Sequence, residues 1–194
     1  RNDWCFFIGI TRNYLDLLKW IYSLGKIDIN KNDEYYFRLA CNTNKLDIVK
    51  WLHDVGNINF HLCIDSCFSV ACLEQNIELC EFLYSTDSID ITIYFCKVLV
   101  QIGTLKVLKW IQKLNIIDFN FNDDELFRIA STYNNFEVLK WIYSLGNVNL
   151  KANNHQAFVD SCKNNNLEMA NWIQKMYQIN YKDCIYKVKS INNN

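Results

Sequence analysis

The sequence predicts an all-α fold, a solenoid of about six stacked helix–turn–helix repeats, and three observations carry that prediction. A marker aromatic returns at Trp20, Trp51, Phe82, Trp110, Trp141 and Trp172, at intervals of 31, 31, 28, 31 and 31 residues by subtraction. A fixed period between about 20 and 50 residues is the signature of a repeat architecture. Around each marker, apolar residues stand at −5, −3, −2, 0, +1 and often +4, a broad stripe at helical spacing. Seven residues before the markers stand Asn13, Asn44, Gln75, Gly103, Asn134 and Asn165, mostly types that tolerate left-handed backbone and so can end one helix before the next begins.

The elements follow in order within each unit. A first helix precedes the turn and carries Phe6, Phe37, Phe68, Phe127 and Phe158 on its inner face, with Cys96 in the fourth copy. The second helix, near Leu15 to Leu24 in the first unit, ends at Gly25, Gly56 and Gly146, with Asp87, Asn115 and Tyr177 in the other copies. Acids at −4 and lysines at −1, as in Asp16–Lys19, Asp47–Lys50 and Glu137–Lys140, are helical neighbours expected on its outer face. An alternating segment follows, such as Ile27-Asp28-Ile29 or Ile117-Asp118-Phe119, which predicts an extended finger with its apolar residues turned inward. Gly103 and Leu105 keep their register, so the short interval loses its three residues from the connecting loop near Thr92 to Phe95. The array spans 1–182, divided at 1–30, 31–61, 62–92, 93–120, 121–151 and 152–182. Residues 183–194 form a tail or open a further segment, and Arg1 reads as the cut end of a longer chain.

This wording resembles the ankyrin repeats. Phe37-Arg38-Leu39-Ala40-Cys41 stands where the family has the core of its first helix. Asn44-Lys45-Leu46-Asp47-Ile48-Val49-Lys50-Trp51-Leu52 resembles its second-helix signature, and Gly56-Asn57-Ile58-Asn59 resembles its finger. The likeness covers residues 4 to 182. The Thr-Pro-Leu-His entry to the first helix is missing, and each unit is about two residues short, so abbreviated loops are expected. The recurring Lys-Trp second helix, the Tyr-Ser-Leu-Gly that follows it and the abundant Asn are most similar to the divergent ankyrin proteins of giant DNA viruses of amoebae. Twenty-six Asn and no Pro also suggest an AT-rich genome.

Composition narrows the function classes. With 51% hydrophobic residues the chain can bury a core. Twenty Lys plus Arg against 21 Asp plus Glu give a net charge of −1, which argues against a nucleic-acid partner. No apolar run reaches the roughly 18 residues of a membrane span, so no membrane partner is expected. Cys41, Cys72 and Cys162 fall at one core register where other copies carry Ile10, Val100 and Ser131. Free thiols used as small core fillers point to a reducing, intracellular setting, the host cytoplasm if the viral likeness holds.

Candidate chemistry is sparse. His61, Cys63, Cys67, Cys72 and Cys80 are soft ligands close in sequence, but they lack the paired spacing of zinc ribbons, and two of them sit at core positions. No phosphate-binding glycine loop or nucleophile elbow appears. No metal, cofactor or catalytic activity is expected. The likeness implies a non-catalytic protein–protein interaction scaffold whose partner, a host protein, docks on fingertips and on the ends of first helices. Transferred by position, the partner-binding candidates are Tyr35, Asn42, Thr43, His61, Glu74, Tyr94, Phe95, Phe121, Tyr133, Asn153 and His155. Tyr35, Tyr94, Phe95 and Phe121 are expected in loops outside the helical stripes, and the marker tryptophans in the packing between units. The alternatives are the substrate-recognition part of a ubiquitin-ligase adaptor and a regulator of a partner enzyme.

Overall fold

In the computed structural model, residues 2–56, 58–59, 63–86, 89–119, 121–146, 148–149 and 152–177 are described. They form twelve helices and, among the described residues, no strand. The chain divides into two compact units, Arg1–Asp90 and Ile91–Asn194. The division falls beside the stretch that lost three residues from the repeat.

Unit 1 contains α1 (Asn2–Thr11), α2 (Leu15–Ser23), α3 (Lys31–Asn42), α4 (Leu46–Gly56), α5 (Ile64–Leu73) and α6 (Ile77–Thr86). Each odd-numbered helix packs on the even-numbered helix that follows it, and α3 packs on both α1 and α5. Unit 2 repeats the plan with α7 (Ile93–Ile102), α8 (Leu105–Leu114), α9 (Phe121–Thr132), α10 (Phe136–Ser144), α11 (Ala152–Lys163) and α12 (Leu167–Tyr177). There α9 packs on both α7 and α11. Neither unit needs a sheet, because neighbouring pairs cover each other's apolar face.

The turn inside every pair is built as the sequence indicates. Asn13, Asn44, Gln75, Gly103, Asn134 and Asn165 all have positive φ, from 53° to 86°. A left-handed residue there lets the following amide return to the first helix, as Tyr14 N does to Gly9 O at 2.8 Å and Asn135 N to Ala130 O at 2.8 Å. The abundant Asn then satisfies neighbouring turns. Asn76 Nδ2 donates to Asn44 Oδ1, while Asn76 Oδ1 accepts the Leu79 amide at 3.1 Å. Asn166 does the same with Asn134 and the Met169 amide. Asn135 Nδ2 reaches the carbonyls of Val100 at 2.8 Å and Gln101 at 2.7 Å. These are backbone acceptors that a helix end otherwise leaves open.

The core is built from phenylalanine, aliphatic and cysteine side chains. The inner-face residues Phe6, Phe37, Phe68, Cys96, Phe127 and Phe158 are all buried. So are the positions just after the markers, Ile21, Leu52, Leu83, Ile111, Ile142 and Ile173. Each large aliphatic side chain so buried stabilises by about 1.5–3 kcal/mol relative to exposure. Cys41, Cys72 and Cys80 are buried at their core registers, whereas Cys162 is only half-buried, and the Cys72 and Cys80 sulfurs lie 3.7 Å apart. Ile27, Ile29, Ile91 and Phe119 are buried in the fingers, as the alternation predicts.

Trp51, Trp141 and Trp172 pack between repeats as expected, but the markers differ in depth. Only Trp110 is buried, at 7% exposure, whereas Trp20 is 61% exposed and Trp51, Trp141 and Trp172 are half-buried. Trp51, Trp141 and Trp172 lie at the edge of the stripe and close seams against the preceding pair. Trp51 packs edge-on against Tyr22 at 5.8 Å and lies 6.2 Å from Phe6. Trp172 meets Tyr143 at 5.1 Å and Phe136 at 5.9 Å, and Trp141 meets Phe119 at 5.2 Å. Of the three acid–lysine pairs expected along the second helices, Glu137–Lys140 forms. Asp16, Lys19, Asp47 and Lys50 stay exposed, where such pairs contribute little.

Candidate functional site

The expected fingertips prove to be helix starts. Tyr35 lies in α3, Tyr94 and Phe95 in α7, Phe121 opens α9, and Asn153 and His155 lie in α11. Asn32 and Glu34, Asn122 and Asp124, and His155, all near these helix starts, take positive φ between 53° and 64°. Glu34 and Asp124 occupy the same register and are nearly fully buried. Each carboxylate accepts a backbone amide from the following finger, Asn59 N at 3.0 Å for Glu34 and Asn149 N for Asp124. This latch joins neighbouring repeats and leaves the remainder of the first helix free to present side chains.

On unit 1, the exposed face of the first helices carries Trp4, 66% exposed, and Tyr35 one repeat later at 36%. Trp4 stacks on Phe7 at 5.5 Å and 16°, and Tyr35 meets Tyr36 edge-on at 5.4 Å. Together with Asp3, Lys31 and Asn32 these four rings line a cavity of about 470 Å³. Inside it Lys31 Nζ lies 2.6 Å from Asp3 Oδ1, which also accepts the Tyr36 hydroxyl at 2.9 Å. The Lys31 bond, then the Tyr36 bond, holds the Asp3 carboxyl below its ordinary range, and the same pair raises Lys31. Burial pushes the Tyr36 phenol up. On the other side of Tyr35 lies a second cavity of about 330 Å³, lined by Tyr35, Arg38, Leu39, Asn42, Ser66 and Val70.

On unit 2, α7 presents Tyr94, Val98 and Ile102, exposed by 73%, 47% and 50%. Their spacing of four residues puts them on one helical face. Lys97 lies beside this row, 4.8 Å from the Tyr94 ring and 2.9 Å from Glu125 Oε2. Asn122 donates to the same oxygen at 2.9 Å. That hydrogen bond first, and Lys97 second, keep the Glu125 carboxyl below its usual range. Phe121 and Tyr133, at the two ends of α9, are 48% and 52% exposed.

The remaining candidates scatter. Asn42 is exposed at the end of α3, and Thr43 turns its hydroxyl back to Leu39 O at 2.8 Å. Glu74 is exposed where α5 ends. Phe95 is half-buried, with its amide donating to the capping Thr92 hydroxyl at 3.3 Å. His155 is half-buried with Nδ1 enclosed. His61 and the side chain of Asn153 lie outside the described residues. Tyr35 and Asn42 share a cavity. Sequence reasoning missed Arg38, Leu39 and Val70 beside them, and Val98 and Ile102 on α7. The signal was available in the i, i+4 spacing of Tyr35 with Leu39 and of Tyr94 with Val98 and Ile102.

Three of the buried thiols are held protonated. Cys63 is raised by its hydrogen bond to Cys67 and by burial, Cys67 chiefly by Cys41, and Cys96 to about 12 by burial. A thiol held protonated is a poor nucleophile and a poor metal ligand. Among the described residues, no group of three or more His, Cys, Asp or Glu side chains is arranged to hold a metal ion, and no helix is long and apolar enough to cross a membrane.

No family model matches the chain, and no curated protein matches it.

Proposed function

We propose that this chain is an ankyrin-type repeat scaffold of viral origin that binds a host protein through the exposed faces of its first helices. The observation that carries the reading is the α7 row. Tyr94, Val98 and Ile102 place three large apolar side chains in water on one face of a helix whose opposite face, Cys96, Leu99 and Val100, is buried. A contiguous apolar face kept in solvent marks an interaction surface, and aromatic residues held on a fixed backbone dominate interface energies. Trp4 and Tyr35 repeat the pattern on unit 1. Six left-handed turn residues in one register support the repeat reading, because they fix the same hairpin in every copy. A preordered surface also loses less entropy when it binds.

The test is a quantitative affinity capture from host cytosol, comparing the native chain with a Tyr94→Ser/Val98→Ser/Ile102→Ser variant. The native chain should retain one or a few proteins that the variant loses, with unchanged circular dichroism. Identical recovery by both proteins would overturn the assignment of this face.

A further inference from the structure

We propose that the cavity between α3 and α5 is a notch for an acidic side chain of an extended peptide, with Arg38 as its counter-charge; the inference rests on the scaffold reading and names the chemistry of the partner. Arg38 has more donors than partners. A guanidinium offers five N–H donors in a planar fork. One terminal nitrogen of Arg38 donates to Asn32 O at 3.0 Å, and Nε is enclosed without a partner. Among the described residues Arg38 forms no ion pair. Glu34, four residues earlier, is buried and has one carboxylate oxygen engaged by the Asn59 amide.

Unit 2 supplies an internal comparison. Arg128 occupies the register of Arg38 and likewise donates to a carbonyl in the first turn of its own helix, Asn122 O, at 3.3 Å. Three residues before it stands Glu125, close enough for Arg128 to contribute to lowering its pKa. In unit 1 the place of Glu125 is taken by Tyr35. Both arginines follow a buried acid by four residues, Glu34 or Asp124, but unit 2 adds Glu125 beside its arginine where unit 1 has an aromatic wall. The walls around Arg38 are Tyr35, Leu39 and Val70, with Asn42 and Ser66 as the polar part of the lining. Apolar walls lower the local dielectric and strengthen an ion pair made there. The fit is to a carboxylate flanked by an aliphatic or aromatic residue. A single unpaired cation favours a peptide over a nucleic-acid strand, which needs a row of them.

The experiment pans a phage-displayed random dodecapeptide library on the immobilised full chain, on Arg38→Gln and on Arg38→Glu, after circular dichroism melts confirm that all three fold. The native chain should enrich peptides with Asp or Glu next to a large apolar residue. Synthetic copies should bind Arg38→Gln roughly tenfold or more weakly, the scale of a lost charge-assisted hydrogen bond. Arg38→Glu should instead enrich Lys- or Arg-bearing peptides, a gain that misfolding does not produce. A native pool without acidic bias, or one whose affinity ignores Arg38→Gln, overturns the proposal. So does displacement of the peptide by a 12-nucleotide single strand that binds more tightly. A pool that depends on Tyr94 and Val98, or a cytosolic partner captured by α7 with no enriched peptide at all, sinks the notch and leaves the scaffold reading standing.

Discussion

Replacing Gly103 with Ala tests how the helix turns are held. Gly103 has φ 86°, and a methyl group built there meets Asn135 Oδ1 at 2.8 Å and Cγ at 3.1 Å. Asn135 is the residue whose amide nitrogen donates to Val100 O and Gln101 O. Two penalties therefore combine. Left-handed backbone costs an Ala residue about 1 kcal/mol. Displacing Asn135 weakens two hydrogen bonds at about 0.5–1.5 kcal/mol each. The expected loss is about 2–4 kcal/mol. Gly146 is the control in the same unit, because its φ is 85° and a methyl group there would have nothing within 4 Å. Gly146→Ala should cost only the backbone part, about 1 kcal/mol. Urea unfolding followed by far-ultraviolet circular dichroism measures both. In an Asn135→Ala background the cost of Gly103→Ala should fall to that of Gly146→Ala. Equal costs in the native background, or a cost undiminished by removing Asn135, would refute the reasoning.

Three further outcomes follow from burial and charge. Trp110→Ala should cost about 3–5 kcal/mol, the range for a buried aromatic, whereas Trp20→Ala should stay within about 0.5–1 kcal/mol, because Trp20 is largely in water already; thermal melts of the two variants decide it. Iodoacetamide at pH 8 should alkylate exposed Cys5 in the native protein and spare Cys96, held at about 12 by burial, until urea unfolds the chain, as read by mass spectrometry. The Glu125 carboxyl is lowered in the folded state, so its stabilising contribution is present above the ordinary glutamate range and is lost as pH falls through the folded value. The stability gap between the native chain and Glu125→Gln should accordingly shrink between pH 7 and pH 3, and a gap that stays constant would remove the ion pair from the account.

The features that repeat were legible in the sequence, and the features that vary between copies were not. Left-handed turns at Asn13 to Asn165 could be read because a turn constrains residue type at one beat, whatever surrounds it. The buried phenylalanines and cysteines were legible for the same reason. The tryptophans could be placed between repeats, but not at their depth, because periodicity marks a position without saying how deep it lies. The helix starts were misplaced because Glu34 and Asp124 look like loop acids, although their recurrence 90 residues apart by subtraction was a usable sign of a shared structural duty. Arg38 and Arg128 share the Phe before them and the Ala two residues after, and differ in charge nearby through Tyr35 against Glu125. Only the packing reveals that Tyr35 and Glu125 give them opposite surroundings.

The latches and asparagine bridges also bear on how the protein yields to mechanical load. Within a unit, these side-chain links run from one hairpin to the next, as Glu34 to Asn59, Asn44 to Asn76, Asp124 to Asn149 and Asn135 to Val100 do. Nothing in that pattern shares tension across several hairpins at once. Drawn out in an optical trap, a unit should surrender one hairpin at a time in a sawtooth of small forces. Each tooth would release a contour of about 100–110 Å, the extended length of one repeat. A scaffold that gives way in such steps can lengthen under strain and re-form behind the load.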